Sequence, residues 1–549
     1  MVHMFRIRKT IEKFFKLFLN RNVQILLIIF IFALALRLLC FGMNPLVGLL
    51  IPDGIYYLLL GENLYLGNGY TRFGPPEANK PPIVPLIFAF SYLIGGINYQ
   101  TIVASLVLFG SLLVFPVYLL GFRLCNRQVG YIAALMVASN PILWLFCGIP
   151  MTETPFIFLS ICALYFSSTE RTKNRLFAGG ILAGLSYLSR YTGVLVIASY
   201  VILIACDIVK KRSVRDLTSF HLWYLIGFSI VGLPWLLRNA IIFGNPFIAP
   251  TEELWREPST GIAARYEGQN LSEYLQTHSI LDIFFRFWSG LVFYSYASLL
   301  VFPLTVLLFA IPGFYFAGRR ENLHHIYYYL VLHMLFFAWY PTRYLRYLAP
   351  IIPLVAIFAA LSISKIYDSQ NRWSFPYFKE ISFSKVLGIF SLAIVISINM
   401  CGTLLISSLT AQNPSYSLNT IEFLVPINNA VEAQLVEQRV IPNNAAEEYV
   451  IAAEWLKDHA SPESVVIARR PLVFYYFSRL KSVAFPRVYV NKTLEHRIAT
   501  SNVSYLVLDS MFPESKEFFP ELYFETDIPS NFKLIYKVEN PRTLIYYIE

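Results

Sequence analysis

The stretch LLIIFIFALAL, residues 26–36, lies in the first long apolar segment and decides the fold class. It is apolar on every face, as is VLVIASY at residues 194–200, and apolar segments of membrane length recur along the chain. Strands of a membrane β-barrel alternate apolar and polar residues, so these segments indicate helices instead. The composition agrees, because 56% of the 549 residues are hydrophobic, only 14% are charged and the mean hydropathy is +0.55. The sequence therefore predicts a polytopic α-helical membrane protein.

The net charge is +10, and the Lys and Arg residues that produce it lie at the boundaries of the apolar segments. Lys and Arg occur in short clusters between those segments rather than along one polar face, which indicates membrane topology and argues against a nucleic-acid partner. The eight His and six Cys form no metal-binding motif such as HExxH or CxxC. From these residues we predict no metal site, and the sequence names no cofactor, although it leaves a divalent cation open.

The N-terminal segment carries the first topology signal. By the positive-inside rule, its cations place the N-terminus in the cytoplasm and direct the first helix, residues 23–42, outward. Residues 43–100 then form the first outer loop. The cations are Arg6, Arg8, Lys9, Lys13, Lys16 and Arg21.

The proline-broken segment PPIVPLIFAFSYLIGG, residues 81–96, decides every later orientation. If it crosses the membrane, four cationic clusters fall outside, against the positive-inside rule; if it lies on the outer surface or re-enters, all four fall inside. We adopt the second interpretation. The clusters are Arg123/Arg127, Arg171/Lys173/Arg175, Lys210/Lys211/Arg212/Arg215 and Arg319/Arg320.

This choice predicts about eleven spans, plus juxtamembrane helices in the first outer loop. With residues 23–42, they lie near 101–122, 129–147, 154–168, 176–189, 191–209, 221–243, 286–317, 324–341, 344–363 and 384–408.

The C-terminal region differs in composition from the membrane region, residues 1–408. AAEEYVIAAEWLKDHA at residues 445–460 has helical periodicity, whereas residues 463–468, 502–509, 532–538 and 542–549 are short strand-like runs. Residues 409–549 are therefore predicted to form a small extracytoplasmic α/β domain.

Asp53 is the first carboxylate of the outer loop and follows the first apolar segment in a Pro-Asp-Gly triplet. Long polar loops usually carry function. The same topology places further polar residues on the side of Asp53: Lys80, Glu153, Arg190, Arg238, the loop of residues 244–284, Arg343 and Arg346.

The order of these motifs resembles that of the C-type membrane glycosyltransferases, in particular the dolichyl-phosphate-mannose protein mannosyltransferase and aminoarabinose transferase branch. The motifs are the Asp53 loop, NKPPIVPL at residues 79–86, MTETPF at 151–156 and PWLLRNAIIFGNPF at 234–247. The resemblance covers roughly residues 20–360.

This resemblance implies transfer of a sugar from a polyprenyl-phosphate donor to an acceptor at the outer membrane face. Asp53 matches the catalytic acidic residue, Lys80 the lysine that meets the lipid phosphate, and Glu153 a second acidic position near the site. In the aminoarabinose branch a Glu precedes that lysine and helps to hold zinc. Asn79 occupies this position here.

The residues themselves permit this chemistry. A carboxylate within hydrogen-bond distance can take the proton of an acceptor hydroxyl, and Asp53 is the candidate base. Cations in a poorly hydrated cleft stabilise the departing lipid phosphate, and the candidates are Lys80, Arg238, Arg343 and Arg346. One base and one displacement are enough, so an inverting reaction is the simpler expectation.

Each assignment has a structural alternative. Asp53 could cap a helix or form a turn, Glu153 could cap the helix that follows it, and Lys80 could reach toward the membrane interface. Arg190 could anchor a helix end. The predicted enzyme would be a plasma (inner) membrane protein whose partners are the lipid donor, membrane lipids and an unidentified acceptor. A lipid-linked sugar flippase or transporter is the alternative function, and a non-catalytic scaffold is a third.

Overall fold

A computed structural model describes most of the chain. It covers residues 20–168, 172–209, 214–247, 271–318, 323–340, 343–368, 383–411, 444–485, 498, 502–511 and 514–549. Several residues used in the topology prediction lie outside these ranges, namely 1–19, 169–171, 210–213, 248–270 and 319–322.

Before residue 411, the described part of the chain is helical apart from short connections. Its α-helices are Arg21–Leu38, Pro45–Leu49, Pro52–Tyr65, Ile83–Gly95, Tyr99–Leu112, Val114–Leu124, Arg127–Ser139, Pro141–Gly148, Glu153–Ser168, Lys173–Ser189, Val194–Val209, Val214–Phe243, Leu271–Thr277, Ile280–Val301, Leu304–Gly318, His324–Trp339, Ile352–Asp368 and Phe383–Thr410. Among the described residues, three 3-10 turns lie between these helices, at Leu39–Gly42, Tyr191–Gly193 and Leu345–Ile351.

Seven helical segments of the described chain are long and apolar enough to cross a membrane. They are Arg21–Gly42, Tyr99–Leu124, Tyr191–Val209, Phe220–Phe243, Ile280–Val301, Leu345–Asp368 and Ser384–Thr410. The pair Arg127–Ser139 and Pro141–Gly148, bent by 51°, becomes an eighth if it is counted as one span.

The other predicted spans coincide with shorter helices. Glu153–Ser168 and His324–Trp339 have 16 residues each and Lys173–Ser189 has 17. At a rise of 1.5 Å per residue these helices are about 24 to 26 Å long, slightly less than the ~30 Å hydrocarbon layer. The count of eleven spans stays a prediction.

One predicted span is divided. Residues 286–317 were predicted as one span, but the helix Ile280–Val301 ends before Pro303 and a second helix starts at Leu304. Proline lacks an N–H group and its ring clashes with the preceding helical turn, which accounts for the break. The predicted span therefore consists of two helices.

A fully buried arginine joins the first helix to the bent pair. Arg37 donates hydrogen bonds from Nη1 to the Ala138 carbonyl at 3.0 Å and from Nη2 to the Val137 carbonyl at 3.1 Å. These carbonyls lie in the last turn of the helix Arg127–Ser139, where a cation is favourable because the carbonyls have no intrahelical partners. Arg37 thus stabilises the helix end at the bend.

The segment predicted to lie on the outer surface or to re-enter the membrane forms a short helix, Ile83–Gly95. Its 13 residues extend about 20 Å, well short of the ~30 Å hydrocarbon layer. One face exposes Leu86, Phe90, Leu93 and Ile94, and the other packs on the helix Pro52–Tyr65. At this contact a Cβ atom on Gly61 would lie 2.8 Å from that of Phe88, so glycine permits the close packing.

The described part of the C-terminal region forms a five-stranded sheet of β1 Val465–Ile467, β2 Lys481–Val483, β3 Tyr505–Asp509, β4 Phe532–Glu539 and β5 Arg542–Ile548. The strand order is β2-β1-β3-β5-β4. β1 pairs in parallel with β2 and β3, while β5 pairs antiparallel with β3 and β4. All four strand-like runs of the sequence form strands, and the periodic segment forms a helix. The helices of this described region are Ala445–His459, Pro471–Ser478, Glu514–Phe518 and Pro520–Phe524.

This α/β unit contacts the first loop. The Phe73 ring meets the Tyr475 ring edge-on at a centroid distance of 4.7 Å. The Glu62 carboxylate pairs with Arg479, whose Nη1 lies 3.1 Å from Oε1. The helix Pro471–Ser478 therefore rests on the same loop that carries Asp53.

Candidate active site

Asp53 lies in the first turn of the helix Pro52–Tyr65. The sequence favours a helix start here, because proline is preorganised for the first helical position and an acidic residue suits the positive helix end. Ile51, not Asp53, is the N-cap residue. The Asp53 side chain is directed to two cations instead.

Three distant chain segments meet at this carboxylate. Asp53 Oδ1 lies 3.2 Å from Lys80 Nζ, and Asp53 Oδ2 lies 2.9 Å from Arg346 Nη2. We call Asp53, Lys80 and Arg346 the Asp53 cluster. Two predicted phosphate-binding residues and the predicted base thus form one ion-pair network.

The cluster is partly accessible. The Asp53 side chain is 37% exposed, whereas those of Lys80 and Arg346 are 20% and 9% exposed. The positive charge of Lys80, together with Arg346, holds the pKa of the Asp53 carboxyl far below its ordinary range. Asp53 is therefore ionised at neutral pH, and its reach to solvent leaves room for a reactant.

Hydrogen bonds to backbone carbonyls place Lys80. The Tyr70 hydroxyl donates to the Lys80 carbonyl at 2.8 Å, and the Tyr191 hydroxyl donates to the Ala78 carbonyl at 2.6 Å. Arg238 Nη1 donates to the Glu77 carbonyl at 2.7 Å. The residues before the paired prolines are thus fixed to two membrane helices.

Aromatic rings place Arg346 in the 3-10 turn Leu345–Ile351. Its guanidinium lies 4.8 Å from the Tyr344 ring centroid and 5.6 Å from that of Tyr347. Its Nη1 faces Met151 Sδ at 3.8 Å, a weak acceptor. The Nε atom is buried and has no hydrogen-bond partner among the described residues.

Glu153 is held differently. Its side chain is fully buried at the start of the helix Glu153–Ser168, and Oε1 accepts a hydrogen bond from Arg190 Nη1 at 2.6 Å. Oε2 is buried without a partner among the described residues. Arg190 and Arg346 both stack on Tyr347, so this ring joins the Glu153–Arg190 pair to the Asp53 cluster.

Two of the predicted phosphate ligands point elsewhere. Arg238 stacks on the Trp235 ring at 4.6 Å and binds the Glu77 carbonyl. Arg343 donates from Nη2 to Ser289 Oγ at 2.6 Å and to the Arg286 carbonyl at 3.2 Å. Neither makes a described contact with Asp53.

Sequence reasoning did not identify the partner of Glu153. Arg190 lies between two apolar runs, where an interfacial anchor was an equal interpretation. Nothing in the sequence distinguishes Tyr191 and Tyr347 from the other tyrosines of the chain, which number 36 in all. An arginine at the junction of two apolar segments was the one available signal, since buried charges need partners.

The described residues do not fit the zinc site that the resemblance implies for one branch. No group of three His, Cys, Asp or Glu side chains in the described part could hold a metal ion. The Asp53 oxygens are engaged by Lys80 and Arg346, one Glu153 oxygen is engaged by Arg190, and Asn79 precedes the lysine. We assign no reaction step to a metal.

Comparison with known proteins shows which solved structures share this fold. Among solved structures, the archaeal oligosaccharyltransferase AglB from Archaeoglobus fulgidus, in complex with an inhibitory peptide and a dolichol-phosphate, has a TM-score of 0.60 and 14% identity, over 97% of this chain and 75% of that chain. ArnT from Cupriavidus metallidurans, bound to undecaprenyl phosphate, has a TM-score of 0.55 and 12% identity, over 96% of this chain and 97% of that chain. The Archaeoglobus oligosaccharyltransferase in complex with Zn and sulfate has a TM-score of 0.55 and 14% identity, over 95% and 72%.

The chain therefore has the fold of these two proteins, and its long apolar helices indicate an integral membrane protein. The family model of the dolichyl-phosphate-mannose-protein mannosyltransferases matches residues 79–237. Curated protein sequences give no match. The resemblance predicted from the motifs is confirmed.

Proposed function

We propose that this protein transfers a sugar from a polyprenyl-phosphate donor to an acceptor at the outer face of the membrane. The observation that carries the proposal is the Asp53 cluster, in which one accessible carboxylate lies between two cations from distant segments. Two proteins of the same fold were solved with dolichol-phosphate and undecaprenyl phosphate, which supports a lipid phosphate as the ligand here.

The proposed orientation has the N-terminus in the cytoplasm and both the Asp53 cluster and the C-terminal domain outside, in a plasma (inner) membrane. The positive-inside rule supports it. The short helix Ile83–Gly95 supports it too, because a helix of this length with one apolar exposed face suits the membrane interface better than a span.

In the proposed reaction, Lys80 and Arg346 bind the donor phosphate. The acceptor hydroxyl oxygen attacks the anomeric carbon, the bond from that carbon to the phosphate oxygen breaks, and its electron pair leaves with the polyprenyl phosphate. Asp53 takes the hydroxyl proton. A single displacement inverts the anomeric centre.

Glu153 acts through Arg190 in this proposal. Because its carboxylate is fully buried, it cannot meet an acceptor without rearrangement, but it can fix the guanidinium that shares the Tyr347 ring with Arg346. Arg238 and Arg343, which the sequence suggested as phosphate ligands, are proposed to hold the Lys80 segment and the segment before Arg346. Arg238 and Arg343 therefore affect donor binding only indirectly, because they position these two segments.

The test is transfer by the purified full-length protein, with polyprenyl-phosphate hexoses and pentoses as donors and proteins, lipids and glycans as acceptors. Asp53→Asn is expected to lower the rate by about 10² to 10⁴-fold, the usual contribution of a general base. Glu62→Gln is the matched control, because it removes a carboxylate of the same helix that lies outside the cluster.

Undiminished transfer by Asp53→Asn would refute the base assignment. Donor binding without turnover by the wild-type protein, under every acceptor condition, would favour the flippase or transporter instead.

A further inference from the structure

A single carboxylate, that of Asp53, bridges the two cations of the Asp53 cluster. Each Asp53 oxygen binds one cation, Oδ1 with Lys80 and Oδ2 with Arg346. Two cations that converge on one point repel each other unless an anion lies between them. In the protein without donor, Asp53 supplies that anion.

We propose that Asp53 occupies the position of the donor phosphate between Lys80 and Arg346, and that the incoming phosphate displaces it from both cations. This inference rests on the proposed function and adds a step before the chemistry. Asp53 is then both a stand-in for the substrate phosphate and, after displacement, the base.

The shape of the groups supports such an exchange. A carboxylate and a phosphate each present two oxygens that accept charge-assisted hydrogen bonds from neighbouring donors. Lys80 and Arg346 come from separate segments that are fixed by tyrosine rings and backbone carbonyls, so the cradle persists when its anion changes. Asp53 itself is the most exposed member and needs only a side-chain rotation to leave.

Arg346 keeps a further donor for the phosphate. Its buried Nε has no partner among the described residues, and its Nη1 faces only the weak acceptor Met151 Sδ. Asp53 therefore leaves part of this guanidinium unsatisfied, which a group with more oxygen atoms would satisfy.

The exchange would couple donor binding to base strength. While Lys80 and Arg346 engage Asp53, the pKa of its carboxyl lies far below the ordinary range, which makes it a weak proton acceptor. When the phosphate takes over both cations, Asp53 loses the neighbours that lower its pKa. The base thus becomes effective only when the donor is in place.

The experiment is binding of undecaprenyl phosphate, without a sugar, to the detergent-solubilised full-length protein. Asp53→Asn removes the competing charge and is expected to bind about five-fold more tightly than wild type, the change that about 1 kcal/mol gives. Asp53→Glu keeps an anion between the cations and is expected to bind no more tightly than wild type. Lys80→Gln is expected to bind more weakly, and Glu62→Gln to match wild type.

Equal or weaker binding by folded Asp53→Asn would overturn the inference. Tighter binding by Asp53→Glu than by wild type would also overturn the inference. This second comparison tests the inference even if Asp53→Asn does not fold. Absence of binding by the folded wild type would overturn the proposed function, and this inference with it, whereas the first two outcomes leave the proposed function standing.

Discussion

Asp53 and Glu153 are both acidic residues in ion pairs, yet their surroundings differ. Asp53 is 37% exposed and divides its oxygens between two cations, whereas Glu153 is fully buried and has one cation and one oxygen with no partner among the described residues. An accessible carboxylate can exchange partners with a ligand. A buried one keeps its partner, because separating the charges leaves one of them desolvated and unpaired. The comparison suggests chemistry at Asp53 and positioning at Glu153.

The largest effect on stability is expected at the buried pair. Arg190→Gln leaves the Glu153 charge buried without its cation and should lower the stability by about 3 to 5 kcal/mol. Thermal unfolding in detergent would show this as a markedly lower Tm. The double variant Glu153→Gln/Arg190→Gln should melt above Arg190→Gln, since it removes both charges. If Arg190→Gln had the same Tm as wild type, the claim that the buried Glu153 depends on its cation more than the accessible Asp53 does would be contradicted.

Replacing a cation that contacts Asp53 should lower the transfer rate much more than replacing a cation that does not. Lys80→Gln should lower the transfer rate by about 10² to 10³-fold, as expected when one group that stabilises developing charge is lost. Arg238→Gln should cost less than about ten-fold, because it removes one hydrogen bond to the Glu77 carbonyl and the Trp235 stack. Steady-state rates at saturating donor compare the two. Equal losses would mean that Arg238 also meets the phosphate.

The sequence grouped the residues of the Asp53 cluster better than it predicted the contacts around them, and the membrane side of the cluster stays a prediction. Asp53, Lys80 and Arg346 could be placed together because charge patterning orients helices and a membrane has only two faces. The Glu153–Arg190 pair could not be found that way, because it depends on how two neighbouring helices rotate about their axes. The break before Leu304 was missed although Pro303 was visible, since apolar character continues across it. The C-terminal strands were predicted well because short alternating or apolar runs between turns are local signals.

The pH dependence should distinguish Asp53 from an ordinary carboxylate. Its pKa is lower in the folded protein than in the unfolded chain, so its ion pairs stabilise the protein above the unfolded value of about 4 and lose that effect as the pH falls below it. The Tm difference between wild type and Asp53→Asn, worth about 1 kcal/mol or less, should be constant from pH 8 to pH 5 and shrink below about pH 4. A difference that disappears between pH 7 and pH 5 would contradict the ion-pair geometry.

The smallest effect on Tm and transfer is expected at the Glu62–Arg479 pair, which involves neither Asp53 nor Glu153. The Glu62–Arg479 pair joins the C-terminal domain to the first loop, but the arginine is 41% exposed. Exposed pairs contribute about 0 to 1 kcal/mol, so Arg479→Gln should change the Tm by no more than a few degrees and leave transfer within about two-fold. A loss comparable to that of Lys80→Gln would show that domain docking controls the Asp53 cluster.

Arg37 has a consequence for how the chain is made. Its carbonyl partners, Val137 and Ala138, lie 100 and 101 residues further along the chain. At a synthesis rate of about 5 to 20 residues per second, roughly 5 to 20 s pass before these carbonyls exist. During that time the Arg37 guanidinium has only the Ala33 carbonyl of its own helix as a described partner, at 3.2 Å, and water or lipid head groups must solvate the rest of it. Biogenesis of this protein therefore includes an interval in which its first span is present but not yet locked to the rest of the fold.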